Sequence, residues 1–173
     1  MKRYAQYPLP FSEVEDSCTS LPTNIPLCET EQAIVDQALE ILRERHQHGA
    51  LLSSPEVTKD YLRLKLADEK QEIFGCIFLT NRHTVIEVEN LFTGTIDGAS
   101  VYPRIIVQKA LTHNAAALLA YHNHPSGCAD PSQADIRITE RIRDALALVD
   151  IRLLDHLVVC VEECVSFAER GLL

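Results

Sequence analysis

From about residue 30 onward, apolar positions recur first at helical and then at strand spacing, and the two periods outline the helices and strands in turn. In "EQAIVDQALEILRERH", with Thr30 placed to cap, Ile34, Ala38, Ile41 and Leu42 share one helical face, and the helix should end near Gly49. In "SSPEVTKDYLRLKL", Ser54 is the expected cap, Pro55 the first helical residue, and Val57, Tyr61 and Leu64 the apolar stripe. "EIFGCIFLT" (72–80) is continuously apolar and rich in aromatic and β-branched residues. "TVIEVENLFTG" (84–94) follows after a turn at Asn81, so the pair predicts a hairpin. "TIDGASVYP" leads into a helix, "RIIVQKALTHN", and then into a short buried strand, "AAALLAY". In "SQADIRITERIRDALALV" the residues Ile136, Thr139, Ile142, Leu146 and Val149 lie on one helical face, and "RLLDHLVVCV" closes with strand character.

The N-terminal segment breaks this pattern. Residues 1–29 hold four of the eight prolines, at Pro8, Pro10, Pro22 and Pro26, and predict an extended arm. The expected organisation is therefore an arm over 1–29, an N-terminal helix over 30–49 and one domain over 50–173.

Composition narrows the function classes. With 46% hydrophobic and 24% charged residues in 173, the chain should fold around an ordinary core. A formal charge of -9 disfavours general attraction to phosphate backbones. No run reaches the roughly 18 apolar residues of a membrane span, and the opening lacks an apolar export segment, so a cytoplasmic protein is expected. The six cysteines are scattered over a chain that needs no disulfide framework; "CVEEC" (160–164) has no second pair at zinc-knuckle spacing, and free core thiols are expected.

The chemistry concentrates in "AYHNHPSGCADPSQAD" (120–135). On an extended segment His122 and His124 point to the same side, so both imidazoles can reach one ion. Asp135 follows in the first turn of the next helix, across a turn made by Pro125, Gly127 and Pro131. Two imidazoles and a carboxylate suit zinc and leave a fourth position for water, as in catalytic sites. Each piece also has a plain structural reading: Ser132-x-x-Asp135 fits a capping box, and His-Pro is a turn dipeptide. "HQH", His46 and His48, has the same spacing but sits at a helix end, where residues two apart diverge by about 200°. A metal hydrolase further needs a base, and Glu72, heading an otherwise apolar strand, is the preferred carboxylate; a strand cap at the solvent edge is its alternative role. There is no H-x-E with P-C-x-x-C, which disfavours a zinc deaminase.

His122-x-His124-Pro125, six residues, then Ser132-x-x-Asp135 resembles the full JAMM signature of the MPN/JAB metallopeptidases, and "EIFGCIFL" is similar to their E-x-x-G strand start, with Glu72 and Gly75 in register. "HNHPSG" with "PSQAD", "LFTGTIDGASVYPR", "LLDHLVV" and "SFAERGLL" resembles the RadC branch in detail over roughly residues 50–173. The usual helix-hairpin-helix region has no counterpart in the sequence, which is similar instead to the short RadC-like proteins of prophages.

The resemblance implies an α/β MPN/JAB (cytidine-deaminase-like) fold, a curved mixed β-sheet flanked by helices. It implies one Zn²⁺ held by His122, His124, Asp135 and water, with Glu72 as general base and then acid and Ser132 donating to the oxyanion. Asp155 and His156 are expected to support the ligands or fill the core. Cys128, in the same loop, is a further candidate: a thiolate there would fill the open position and block hydrolysis.

Three functions compete. The first is zinc-dependent hydrolysis of an amide or isopeptide bond in a protein or peptide substrate. The second, from the RadC association with DNA repair, is a DNA-handling protein, for which Arg137, Arg141 and Arg143 offer a modest basic strip that a solvated helix face explains more simply. The third is a non-catalytic MPN scaffold, against which the intact ligand set argues.

Overall fold

The computed structural model describes residues 29–47, with side chains as far as Ile41, together with 54–94 and 100–173. The expected arm, Cys18, Cys28, the His46 and His48 side chains and most of "TIDGAS" lie outside the described residues. Among the described residues four helices are present, α1 (Glu29–Gln47), α2 (Pro55–Leu66), α3 (Pro103–Thr112) and α4 (Gln133–Ala147). They flank five strands: β1 (Ile73–Leu79), β2 (Val85–Thr93), β3 (Ala117–Asn123), β4 (Arg152–Val159) and β5 (Cys164–Ser166). The strands form one sheet in the order β2-β1-β3-β4-β5. β1 is antiparallel to β2 and β3, while β3 and β4 are parallel and joined by α4. This is the mixed sheet flanked by helices that the family resemblance implies.

Burial follows position in the sheet. β1 lies between two neighbours and under helices on both faces, so all seven of its residues are buried and its sequence is apolar throughout. β2, at the edge, is half-buried and carries the alternating polar positions. On one face Ile73, Ile77, Leu79, Tyr121 and Leu157 pack against Tyr61, Leu62 and Leu66 of α2. On the other, Phe74, Cys76, Phe78, Leu118 and Ala120 pack against Ile106 and Ala110 of α3 and Ile142 and Leu146 of α4. Each fully buried Leu or Ile contributes about 1.5–3 kcal/mol.

One expectation needs correction. The buried stripe of α2 is Thr58, Tyr61, Leu62 and Leu66, and Val57 and Leu64 face solvent. The two stripes share Tyr61, and tertiary packing selects the face that carries two further leucines on the side of the sheet. β5, only three residues long, was not legible; it exists because the "CVEEC" turn folds back, with Cys160 N–H donating to Glu163 O at 2.8 Å. The cysteines among the described residues are free thiols, as expected.

Candidate metal centre

The site forms where the two parallel strands end. β3 stops at Asn123, but the His124 N–H donates to Val159 O at 2.9 Å and continues the ladder by one residue. The chain is therefore still extended at His124, and His122 and His124 project from the same face. Pro125 then opens a tight turn closed by Gly127 N–H on His124 O at 3.1 Å, with Gly127 at φ +85°. The next helix starts at a reciprocal cap: Asp135 N–H donates to Ser132 Oγ at 3.1 Å, and Ser132 N–H donates to Asp135 Oδ2 at 2.7 Å. The cap fixes the Asp135 carboxylate at the helix N-terminus, facing the histidines.

The three candidate ligands meet. His122 Nε2 and His124 Nε2 are 2.9 Å apart, and each faces one Asp135 oxygen, at 3.5 and 3.6 Å. Ligand atoms about 2.0–2.2 Å from a shared tetrahedral zinc would be about 3.4 Å from one another. Among the described residues, His122, His124 and Asp135 are the group that could hold a metal ion. Cys128 stands apart: its thiol faces Asp130 Oδ2 at 3.8 Å, and it is its carbonyl that serves the site, accepting from His124 Nδ1 at 2.7 Å.

The hydrogen-bond partners settle which nitrogens carry hydrogen. The Cys128 carbonyl can only accept, so His124 bears hydrogen on Nδ1 and turns Nε2 inward. On the other side, the Asp135 carbonyl accepts from the Thr139 hydroxyl at 2.6 Å, which leaves that oxygen to accept from His156 Nδ1 at 2.6 Å. His156 is wholly buried, which holds its pKa well below the ordinary histidine value and keeps it neutral. Its Nε2 is consequently an acceptor, and it receives His122 Nδ1–H at 2.8 Å. His122 Nε2 is then a lone pair. Two bare lone pairs would repel at 2.9 Å beside a carboxylate, so this spacing calls for a proton or a cation between the two nitrogens.

The electrostatics favour positive charge between these groups. Burial pulls His122 down to about 4, against the attraction of Asp135, so it stays neutral. His124 is raised, first by its hydrogen bond to Asp135, then by the Cys128 carbonyl and the charges of Asp135 and Glu72, with burial opposing. Burial pushes Asp135 upward, but its contacts with His124, His122 and Ser132 outweigh this and hold it well below the carboxylate range. It is an anion at neutral pH.

Glu72 precedes β1 and is half-buried; its carbonyl accepts from Gly94 N–H at 2.7 Å. Phe74 pairs with His122 across the antiparallel ladder, so Glu72, two residues earlier, falls on the ligand face opposite the position of His124. Its carboxylate acts electrostatically on His124. Ser132 is exposed, and its oxygen accepts the cap hydrogen bond, so its own hydrogen points to another partner. Asp155 faces away from the ligands: it accepts from His156 N–H, Ala168 N–H and the Ser166 hydroxyl, at 2.7, 2.9 and 2.5 Å, and so ties β4 to the C-terminal turn.

Two residues take parts that the sequence did not mark out. Thr139 reads there only as one member of an apolar helical face. Asn123, between the two histidines, turns to the other face; its Oδ1 accepts from Ile73 N–H at 2.7 Å and its Nδ2 donates to Gln71 O at 3.1 Å, so it grips the chain on both sides of Glu72. Gly75 pairs with Tyr121, whose ring lies directly over it. His156 is sandwiched between Phe74 and Phe167, with ring centroids 5.4 and 4.8 Å away. The basic strip on α4 is exposed at Arg137, Arg141 and Arg143, and Arg143 pairs with Asp144.

Comparison with known proteins places this arrangement. The RadC-like JAB domain family model matches residues 52–172. The sequence is 57% identical over 142 residues to a UPF0758 protein of Thioalkalivibrio sulfidiphilus, covering 82% of this chain and 63% of that one. It is 58% identical over 140 residues to a UPF0758 protein of Vibrio parahaemolyticus, covering 81% and 62%. A UPF0758 protein of Halorhodospira halophila is 55% identical over 151 residues, covering 85% and 67%. The chain thus spans a little under two thirds of the length of the first two. No helix among the described residues is long and apolar enough to cross a membrane.

Proposed function

Since the chain belongs to the RadC-like JAB domain family, we propose that it is a zinc-dependent hydrolase of the JAMM type, cleaving an amide or isopeptide bond in a protein or peptide, with residues 50–173 as the catalytic unit. The observation that carries the reading is the convergence of two imidazole nitrogens and one carboxylate within 2.9–3.6 Å. This donor set fits zinc: two imidazole nitrogens and a carboxylate, with both nitrogen–oxygen separations near the tetrahedral value, three ligands from the protein, and one side facing solvent.

When bound, the ion supplies Lewis acidity, lowering the pKa of a coordinated water and polarising the scissile carbonyl. The chain's own groups do the rest. His122 and Asp135 are held by the Thr139–His156 connection and the helix cap, so both are oriented in advance, and only the His122–His124 separation has to open from 2.9 Å toward about 3.4 Å. The Glu72 carboxylate takes the proton of the attacking water at its oxygen and returns it to the leaving nitrogen. Ser132 Oγ keeps its acceptor role in the cap while its hydrogen is donated to the oxyanion, a contribution often worth about 3 kcal/mol in acyl transfer.

The test combines zinc analysis of the purified full chain with a panel of peptide, isopeptide-linked and nucleic-acid substrates, run with Glu72→Gln as control. Stoichiometric zinc, with cleavage of a peptide or isopeptide bond lost in Glu72→Gln, is the expected result. Cleavage of nucleic acid alone, or a protein that takes up no zinc, overturns the proposal.

A further inference from the structure

Beyond the three ligands, the face of the sheet beneath them carries a buried polar chain that links two ligands from opposite sides. It starts at the Asp135 carbonyl on α4, passes through the Thr139 hydroxyl to His156 on β4, and ends at His122 Nδ1 on β3, in steps of 2.6, 2.6 and 2.8 Å. Thr139, His156 and His122 are each 0–1% exposed, so no solvent can replace a missing partner. Phe74 and Phe167 close over the His156 ring.

We propose that Thr139 and His156 are positioning residues for metal capture: together they lock His122 in the form with hydrogen on Nδ1, so that Nε2 faces the ion. The inference rests on the metal-centre reading above and assigns it a cause. Imidazole can place its hydrogen on either nitrogen, and only one choice leaves Nε2 able to coordinate. Direction enters the chain at its far end. A backbone carbonyl cannot donate, so each following donor is dictated in turn: the hydroxyl to the carbonyl, His156 to the hydroxyl, His122 to His156. If the hydroxyl is removed, His156 loses the acceptor for Nδ1–H. Moving that hydrogen to Nε2 then presents a donor to His122, and His122 must accept at Nδ1 and carry hydrogen on Nε2, the form that cannot bind. The chain also joins β3, β4 and α4, so one connection sets the separation of His122 from Asp135.

The experiment uses full-length protein stripped with chelator and titrated with Co²⁺ alone, followed by its visible absorption. Histidine ¹³C shifts of the stripped protein report which ring nitrogen carries hydrogen. Thr139→Val, close in shape but without the hydroxyl, is expected to bind Co²⁺ about 10- to 100-fold more weakly and to shift His122 toward the Nε2–H form. Thr139→Ser should restore both readouts. His156→Gln, whose amide oxygen can still accept from His122, should retain more affinity than His156→Leu. Thermal unfolding of the stripped variants identifies any that fail to fold, and for these the Ser and Gln variants carry the comparison. Wild type that binds Co²⁺ while folded Thr139→Val binds equally well, with His122 unchanged, overturns this inference and leaves the metal centre standing. Wild type that binds neither Co²⁺ nor Zn²⁺ overturns both.

Discussion

Replacing Gly75 by Ala adds a single methyl group in the middle of the central strand, and the structure predicts a large loss. A Cβ built on Gly75 runs into the Tyr121 ring at Cζ and Oη and comes within 2.6 Å of the Glu89 carbonyl oxygen. Neither obstacle is a flexible tip. Tyr121 is fully buried, and its hydroxyl donates to Asn90 Oδ1 at 2.7 Å; the Glu89 carbonyl belongs to the backbone of β2. Forcing such a contact in a packed interior costs about 1–3 kcal/mol. Swinging the ring aside also breaks the Tyr121–Asn90 hydrogen bond, worth about 1 kcal/mol. The expected destabilisation is thus about 2–4 kcal/mol, a large part of the 5–15 kcal/mol typical of a domain. Urea unfolding followed by circular dichroism, in the presence of chelator, gives the number. The cause is tested by a double-mutant cycle: in a Tyr121→Leu background the Ala substitution should cost at least about 1 kcal/mol less, the remainder coming from Glu89. A Gly75→Ala protein within about 0.5 kcal/mol of wild type, or an equal cost in both backgrounds, refutes the steric argument.

Other perturbations bear on the site itself. Burial lowers His122 to about 4 and His156 well below 6.5, so below about pH 6.5 the unfolded chain takes up protons that the folded chain does not. Stability of chelator-treated protein should therefore be complete above that pH and fall toward acid, by on the order of 1 kcal/mol per pH unit for each ring, while the raised pKa of His124 opposes part of the loss. Urea midpoints at pH 7.5 and 5.5 measure this; a midpoint that stays constant or rises toward acid contradicts it. Asn123→Ala leaves the buried Ile73 N–H without its acceptor and should cost about 1–3 kcal/mol. Amide exchange at Ile73 should quicken, and unaltered protection there would show that the Asn123 clamp is dispensable.

How far the sequence discloses this molecule depends on whether a feature is local. β1, β3 and α4 could be placed because their apolar runs and periods are self-contained, and the ligand set because His122, His124 and Asp135 lie within fourteen residues joined by a turn of marked composition. The Ser132 cap was legible for the same reason. Features made by partners far apart in the chain were not. The need for glycine at 75 is visible only once Tyr121 lies across it, and Thr139 looks apolar in a helical pattern until His156 arrives from β4. His156 itself could be assigned to the core or to ligand support, and only the 2.8 Å contact with His122 Nδ1 decides. The stripe of α2 was misplaced because two faces share Tyr61 and periodicity does not say which one meets the sheet.

The ladder that extends β3 to His124 ends on Val159, the last residue of β4. During synthesis, a chain that has emerged only as far as Asp135 would hold all three candidate ligands, yet neither Val159 to straighten His124 nor His156 to orient His122. On the proposed reading, ion uptake would be a late folding event that waits for the penultimate strand, and chelation by the nascent chain would be weak and reversible.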